Sequence, residues 1–174
     1  VITIDCHRGH LDPDIATMPV PSASARLVTD SVARLVRFAR EQGMPVIHVI
    51  LNNRMLPDGV VEPLHNPFWK TVESVNQRLT PELMSPISGH NLVGSPQTEL
   101  MPVLGPAPNG LVVNTKRRLS IFRDTDLDLP LQLQKLSPLV LASLNPHPCS
   151  PLPALSPPPR ARPPTATRVT SPSI

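Results

Sequence analysis

The sequence predicts an α/β fold with a parallel β-sheet, and three observations support this prediction. Residues 1–4 are all β-branched and end at Asp5, as expected for a short buried strand. After Ser22 and Ser24, apolar residues keep the spacing of one helical face, with most of the arginines outside it; they are Leu27, Val28, Val32, Leu35, Val36 and Ala39. Residues 46–50 are again mainly apolar. The order is therefore strand, helix, strand, the unit from which parallel sheets with right-handed crossovers are built.

The boundaries of the predicted helix carry their own signals. Ser22 or Ser24 is expected to cap its first turn, because a serine oxygen can accept a hydrogen bond from an unpaired backbone amide there. Gly43 suits the position just after a helix, where positive φ is common. Pro45 cannot continue the helix and leads into the second strand.

Residues 51–94 form a long, polar connection that proline interrupts repeatedly and that contains the only tryptophan, Trp69. A connection of this length in a compact domain is usually a binding loop or a lid. After it, Ser95 and Pro96 are typical of the start of a short helix, which we expect to end near Gly105.

A third strand is predicted at residues 111–113, where three apolar residues precede a polar stretch that ends at Lys116. The lysine is expected at the mouth of this strand. Asp124 or Thr125 begins the next predicted helix, which Pro130 interrupts unless that proline falls within the first turn.

The end of the chain differs in composition from the rest. Residues 139–142 predict a fourth strand, but no glycine follows Gly110, no acidic residue follows Asp128, and seven prolines lie between positions 146 and 159. Each proline lacks an amide donor and obstructs the preceding helical turn. We therefore predict an incomplete α/β domain over residues 1–143 and a disordered or frameshifted Pro/Ser-rich tail over residues 144–174.

Composition argues against several classes of partner. The net charge of +3 and the pI of about 9.4 come partly from the tail, and no stripe of Lys and Arg alternates with aromatic residues, so nucleic acid is not an expected partner. The apolar runs are too short to span a membrane. Two cysteines and no secretion signal favour a cytoplasmic protein, with a small molecule as its expected partner.

Three chemically useful residues follow predicted strands. Asp5, Lys116 and Cys149 each lie just beyond a strand's carboxyl end, which is the edge of an open α/β sheet where ligands bind. Asp5 can accept a thiol proton, and Lys116 can lower the thiol pKa and stabilise developing negative charge. Cys149 can then attack a carbonyl. The alternative interpretations are a turn carboxylate, a solvated lysine and a thiol in an unstructured tail.

Five blocks of sequence stand out, namely IDCHRGHLDP (4–13), GMPVIHV (43–49), HNLVGS (90–95), VNTKRRLSIF (113–122) and TDL (125–127). Together they resemble the isochorismatase-like cysteine hydrolases over about residues 1–142. Their order and spacing agree with that family. The resemblance implies a Rossmann-like three-layer α/β/α sandwich and an Asp-Lys-Cys triad. It also implies hydrolysis of C–N bonds of small amides, or of the vinyl ether of isochorismate. Asp5 and Lys116 match the triad directly.

The chain departs from the family pattern around the third triad member. Where the family has a glycine, a short polar turn, the cysteine and then a helix, this chain has Ser143, a Pro-containing turn and Cys149. Pro151 suits a first helical turn, but Pro153 and the prolines beyond it leave no helix to activate the thiol. The family's C-terminal strands are expected to be missing. The alternative is therefore a catalytically inactive relative, or a truncated or frameshifted product that acts at most as a binding protein.

Further candidates lie near the triad or in the long connection. His7 is expected to contact substrate, and Phe68 and Trp69 either line the substrate pocket or pack the connection. Cys6 should face away from Asp5 and serve structure. The resemblance also allows a homo-oligomer.

A metal cluster of His7, His10 and Asp12 beside Asp5 is an alternative, because the nicotinamidase branch of the family binds metal. The spacing gives no firm signal for such a site, so we expect no metal and no cofactor.

Overall fold

The chain folds into one parallel β-sheet flanked by helices. A computed structural model describes residues 1–79, 81, 87–105, 107, 110–136 and 139–144, and also the backbone of residues 166–170. The strands are β1 (Ile2–Ile4), β2 (Ile47–Leu51), β3 (Leu111–Lys116), β4 (Leu139–Ser143) and β5 (Ala166–Thr170). They are ordered β3-β2-β1-β4-β5, and every pairing is parallel. The predicted α/β class is confirmed.

Four α-helices accompany the sheet in the described residues. None of the helices in the described part of the chain is both long and apolar enough to cross a membrane. Short 3₁₀ turns at Glu62–His65, Ile87–Gly89, Pro96–Thr98 and Pro102–Leu104 shape the connections. The α-helices are α1 (Arg8–Leu11), α2 (Ser22–Glu41), α3 (Pro67–Leu79) and α4 (Asp128–Leu133).

Two apolar clusters cover opposite faces of the sheet and give the three-layer sandwich. On one face, α2 buries a stripe that includes Val28, Val32 and Val36. On the other face, Leu127 and Leu131, at and within α4, pack against side chains of β1 to β4. Each fully buried aliphatic side chain contributes roughly 1.5–3 kcal/mol relative to exposure. The strands therefore hold their polar carboxyl ends in a rigid frame.

Several predicted helix signals are corrected by the structure. Ser22 is the first residue of α2 itself, the N-cap is Pro21, and no side chain caps the helix, so the expected serine cap is wrong. Ser95 stands at an N-cap without a side-chain hydrogen bond, and two 3₁₀ turns replace the expected short helix. Gly43 follows α2 with φ of +66°, as predicted. Pro130 lies within the first turn of α4.

The long connection contains a helix that the sequence analysis did not predict. α3 spans 13 residues and buries none of them. Phe68, Val72 and Leu79 nevertheless lie at helical spacing, so an apolar periodicity was present in the sequence but was not used to predict a helix. A local signal was present in Asn66, whose side-chain oxygen accepts a hydrogen bond from the Phe68 amide at 2.9 Å. Pro67 at the first helical position completes that start signal.

One segment of the C-terminal tail also forms structure that was not predicted. β5 pairs with β4 in parallel register, with Ala166 opposite Leu139. The expectation of a tail without strands is therefore incomplete at residues 166–170. Residues 145–165 and 171–174, and with them Cys149, lie outside the described residues.

Candidate active site

A buried ion pair joins the ends of β1 and β3. The Lys116 ammonium donates hydrogen bonds to both carboxylate oxygens of Asp5, at 3.0 Å to Oδ1 and 2.8 Å to Oδ2. The two side chains are 1% and 6% exposed, respectively. The structure thus brings together two of the three residues that the sequence singled out.

The strands explain how this pair is positioned. Asp5 immediately follows β1 and has φ of +58°, a left-handed conformation that aspartate tolerates better than most residues. Its amide donates to the Val49 carbonyl at 2.9 Å, which ties the turn to β2. Lys116 is the last residue of β3, and its carbonyl accepts from the Asn52 amide at 2.9 Å. Because β2 lies between β1 and β3, the lysine side chain spans the central strand to reach Asp5.

Burial makes this pair expensive to disturb. Removing one partner of a buried ion pair leaves the other charge without compensation, which typically costs about 3–5 kcal/mol. A carboxylate held beside an ammonium in such a place is a preorganised electrostatic device, of the kind found where charge develops during a reaction.

Three histidines surround the ion pair. His7 is fully buried, and neither of its ring nitrogens makes a well-formed hydrogen bond within the described part of the chain. Its ring meets that of His10 edge-on with centroids 4.7 Å apart, and His10 meets His90 at 5.3 Å. A ligand atom of His7 lies within 4.8 Å of one of Asp5, and the expected contact of His7 with substrate stays a prediction. His10 and His90 complete an aromatic, polar wall.

Burial keeps these imidazoles neutral at neutral pH. It lowers the pKa of His7 to about 4, assisted by the nearby Lys116 charge and opposed by Asp5. Burial likewise lowers the pKa of His90 to about 3. Neutral imidazoles can donate or accept a hydrogen bond, so His7 has capacity for a polar group of a bound molecule.

A network of amides holds this wall in place. Asn91 has φ of +48° and is fully buried. Its amide donates to the Gln97 side chain at 2.6 Å, and its carbonyl accepts from the Asn53 amide at 2.8 Å. The Asn53 side chain in turn donates to the His90 carbonyl at 2.9 Å. A Cβ added to Gly9 would collide with the Asn91 side-chain oxygen, so α1 packs closely on this network.

Sequence analysis did not identify Asn53, Asn91 and Gln97 as members of the site. Asn91 lies within the block HNLVGS that carries the resemblance, which was the available signal. Asn53 and Gln97 lie in polar stretches where a buried amide cannot be told from an exposed one. Asn53, for example, joins the site through a hydrogen bond to the His90 carbonyl, 37 residues further along the chain, which sequence spacing does not reveal.

Cys6 lies on the far side of the strand from this site, as expected. It is 1% exposed, belongs to the apolar cluster beneath α2, and its thiol donates to the Ile4 carbonyl at 3.4 Å. Burial, together with the negative charge of Asp5, raises the pKa of the Cys6 thiol to about 12. Cys6 is therefore an unreactive structural thiol.

Asp5, His7 and His10 each offer a ligand atom, and these atoms lie within 4.8 Å of one another, which is close enough to consider a metal ion. The Lys116 ammonium on both Asp5 oxygens opposes a second cation there. Asp12, the other acidic candidate, pairs instead with Arg8 at 2.9 Å. These residues therefore fit a metal ion poorly, and the absence of a metal stays a prediction.

The remaining predicted site residues are not gathered at the ion pair by any contact of the described residues. Phe68 and Trp69 begin α3, and their rings meet edge-on with centroids 5.2 Å apart. Phe68 is 63% exposed. Their role in substrate binding stays a prediction. Cys149 lies outside the described residues, so its position relative to Asp5 is a prediction as well.

Comparison with known proteins adds a family and a set of similar folds. The sequence matches the family model of the isochorismatase domain over residues 1–149. A comparison with curated proteins found no match. Among solved structures, N-carbamoylsarcosine amidase from Thermoplasma acidophilum is 20% identical with a TM-score of 0.56, and the match covers 85% of this chain and 68% of that chain.

Two further structures extend this set. Nicotinamidase from Bacillus subtilis is 24% identical with a TM-score of 0.55, and the match covers 82% of this chain and 68% of that chain. A cysteine hydrolase from Pseudomonas syringae pv. phaseolicola 1448A is 16% identical with a TM-score of 0.60, and the match covers 86% of this chain and 60% of that chain. At these identities the structures establish the shared fold alone. The chain spans about two thirds or less of each.

Proposed function

Because this chain belongs to the isochorismatase domain family, we propose that it is a cysteine hydrolase that cleaves the C–N bond of a small amide. Asp5, Lys116 and Cys149 form its triad. The observation that carries the proposal is the buried Asp5–Lys116 ion pair at the carboxyl edge of the sheet. A buried charge pair at that edge is costly for structure alone and useful for chemistry.

Each residue of the triad has a role in the proposed reaction. Asp5 accepts the proton of the Cys149 thiol, and the thiolate attacks the amide carbonyl carbon. Lys116 stabilises the negative charge that develops on the carbonyl oxygen and on sulfur. As the C–N bond breaks, protonated Asp5 returns the proton to the leaving nitrogen. Water then hydrolyses the thioester and regenerates the thiol.

The substrate class follows from two kinds of support. Relatives of similar fold are named as a nicotinamidase and an N-carbamoylsarcosine amidase. Within this chain, the neutral His7 beside the ion pair can hydrogen-bond a polar group of a neutral amide. Isochorismate is the family's other substrate type and belongs in any test. We also propose that Phe68 and Trp69 contact substrate, and that the protein is cytoplasmic and able to form a homo-oligomer.

A second candidate is a catalytically inactive relative, or a truncated or frameshifted product that acts at most as a binding protein. The observation that favours it is the run of prolines around Cys149, since Pro148, Pro151 and Pro153 obstruct the helix that would activate a thiol. In this case the ion pair persists as an inherited feature of the fold.

The proposal is tested by measuring ammonia or amine release from nicotinamide, N-carbamoylsarcosine and related small amides, with isochorismate turnover assayed in parallel. We expect Cys149→Ala to abolish turnover, whereas Cys6→Ala retains it, because Cys6 packs away from the site. Equal turnover by Cys149→Ala and the parent chain would contradict the triad. Absence of turnover over a broad panel, from a folded chain, would favour the inactive relative.

A further inference from the structure

A cavity separate from the ion pair lies beside β2 and β3. Its volume is about 530 Å³, within the usual range for small-molecule sites. Asn52, Arg54 and Arg117 contribute polar groups to its wall, whereas Met55, Leu92 and Val93 contribute apolar ones. Neither Asp5 nor Lys116 belongs to this wall.

The charges at the cavity leave a positive surplus. Glu62 accepts from the Arg54 guanidinium at 2.6 Å, and its other oxygen lies 3.4 Å from Nε of Arg117. Two guanidinium groups thus share one carboxylate, which leaves a net charge of about +1 at the cavity. Arg54 is 52% exposed and Arg117 is 27% exposed, so both can adjust toward a ligand. One ligand carboxylate would balance this surplus.

A buried acceptor in the wall has no donor. The Asn52 side chain donates to the Asn114 carbonyl at 3.1 Å, but its Oδ1 is buried and accepts no hydrogen bond within the described residues. Asn52 is only 7% exposed. Leaving a buried acceptor unsatisfied destabilises the chain, and a ligand N–H would satisfy it. The apolar wall, where Met55 and Val93 are more than half exposed, offers contact for an apolar group.

We propose that this cavity binds a small monocarboxylate that also carries an N–H donor and an apolar group, the chemistry of an N-acylated amino acid. The carboxylate pairs with Arg54 and Arg117, in competition with Glu62. A shift of the Asn52 side chain brings its Oδ1, which is buried in the free chain, to the ligand N–H, and the apolar group lies on Met55 and Val93. This proposal concerns binding at a separate cavity and does not depend on hydrolysis at the ion pair.

Isothermal titration of the full chain with N-benzoylglycine tests the proposal. We expect saturable binding, weakened at least about tenfold when the probe is replaced by its methyl ester, because the ester has no charge to pair with the guanidinium groups. Benzoate, which lacks the N–H, should also bind more weakly. Mass spectrometry of the probe after titration separates binding from turnover. If Cys149→Ala binds the probe like the parent chain, failure of the hydrolase proposal leaves this one standing.

Variants distinguish a ligand site from a structural ion pair. Arg117→Gln should weaken binding of the probe by at least about tenfold. Glu62→Gln should strengthen it severalfold, because it removes the competing carboxylate, whereas a purely structural role predicts weaker or unchanged binding. Arg34→Gln, on the exposed face of α2, is the matched control and should change nothing. Equal binding of acid and ester, no binding at millimolar probe, or weaker or unchanged binding to Glu62→Gln would each overturn the proposal.

Discussion

Two charged groups lie where the strands end, and they differ chiefly in exposure. The Asp5–Lys116 pair is almost completely buried, with both carboxylate oxygens on one ammonium. The Arg54–Glu62–Arg117 group is partly exposed, with side chains 52%, 21% and 27% exposed, and its one carboxylate is shared between two guanidinium groups. The buried pair is therefore held in one geometry, whereas the side chains of the partly exposed group can change partners.

This contrast shows how burial changes what a charged group can do. A buried pair cannot rearrange without a large cost in free energy, so it holds a charge pattern ready for a reaction. An exposed group exchanges partners at little cost, because water and salt screen its interactions. The following experiments break the buried pair, its surroundings and an exposed pair in turn.

The largest expected effect comes from breaking the buried pair. Lys116→Met leaves the Asp5 carboxylate buried and uncompensated, so the free energy of unfolding should fall by about 3–5 kcal/mol. Urea unfolding followed by circular dichroism measures this loss. Asp5→Asn/Lys116→Met removes both charges and should recover part of the stability. A loss below about 1 kcal/mol for Lys116→Met would place the pair with ordinary surface ion pairs.

The histidines around the pair should make stability depend on pH. The pKa values of His7 and His90 are lowered from 6.5 to about 4 and about 3 by burial, so the unfolded chain binds protons that the folded chain does not. Stability should therefore be complete above pH 6.5 and decline as the pH falls toward 4, by about 1.4 kcal/mol per pH unit for each histidine. His7→Asn should reduce this dependence in urea titrations. A flat profile for the parent chain would show that these rings are not desolvated.

The packing of α1 on the amide network is tested by Gly9→Ala. The new methyl group would collide with the Asn91 side chain and lie 2.9 Å from the Gln97 carbonyl, so we expect a loss of about 1–3 kcal/mol. Gly59→Ala is the control, because Gly59 has φ of +78° but open space around it, and it should lose only about 1 kcal/mol. Thermal unfolding compares the two. Equal losses would mean that the close approach at Gly9 is not maintained in solution.

The smallest effect is expected from an exposed pair. Arg118 and Asp124 are 2.8 Å apart but 61% and 63% exposed. Arg118→Gln should change the free energy of unfolding by less than about 0.5 kcal/mol, and high salt should erase even that difference. A loss comparable to that of Lys116→Met would remove the contrast between buried and exposed charge.

Much of the fold follows from local patterns in the sequence. β-branched and apolar runs predicted four strands, and periodic apolar residues predicted α2. α3 was missed although Phe68 and Leu79 belong to an apolar stripe at helical spacing, because the whole segment was interpreted as a polar, Pro-interrupted connection. Asn66 and Pro67 also marked the start of this helix. β5 was missed because it depends on pairing with β4, far along the chain, rather than on its own composition.

The site was predictable only in part. Asp5 and Lys116 were identified because each ends a strand, and strand ends converge in a parallel sheet. The roles of Asn53 and Asn91 were not, because their partners come from distant loops. The sequence suggested a possible metal cluster of His7, His10 and Asp12 beside Asp5, whereas in the structure the ligand atoms of Asp5, His7 and His10 lie together. Asp12 pairs with Arg8 instead, and sequence spacing alone does not reveal that ion pair.

The most direct test of the central claim is the rate at which iodoacetamide labels Cys149 as a function of pH, with peptide mapping to identify the labelled thiol. Cys6 provides an internal reference, because burial raises its pKa to about 12. The triad predicts that folded Cys149 reacts at least about tenfold faster than in the urea-unfolded chain near neutral pH, with a pKa below the usual value of about 8.5. It also predicts that Asp5→Asn/Lys116→Met removes the difference. Labelling of the folded chain at the rate of the unfolded chain would contradict it.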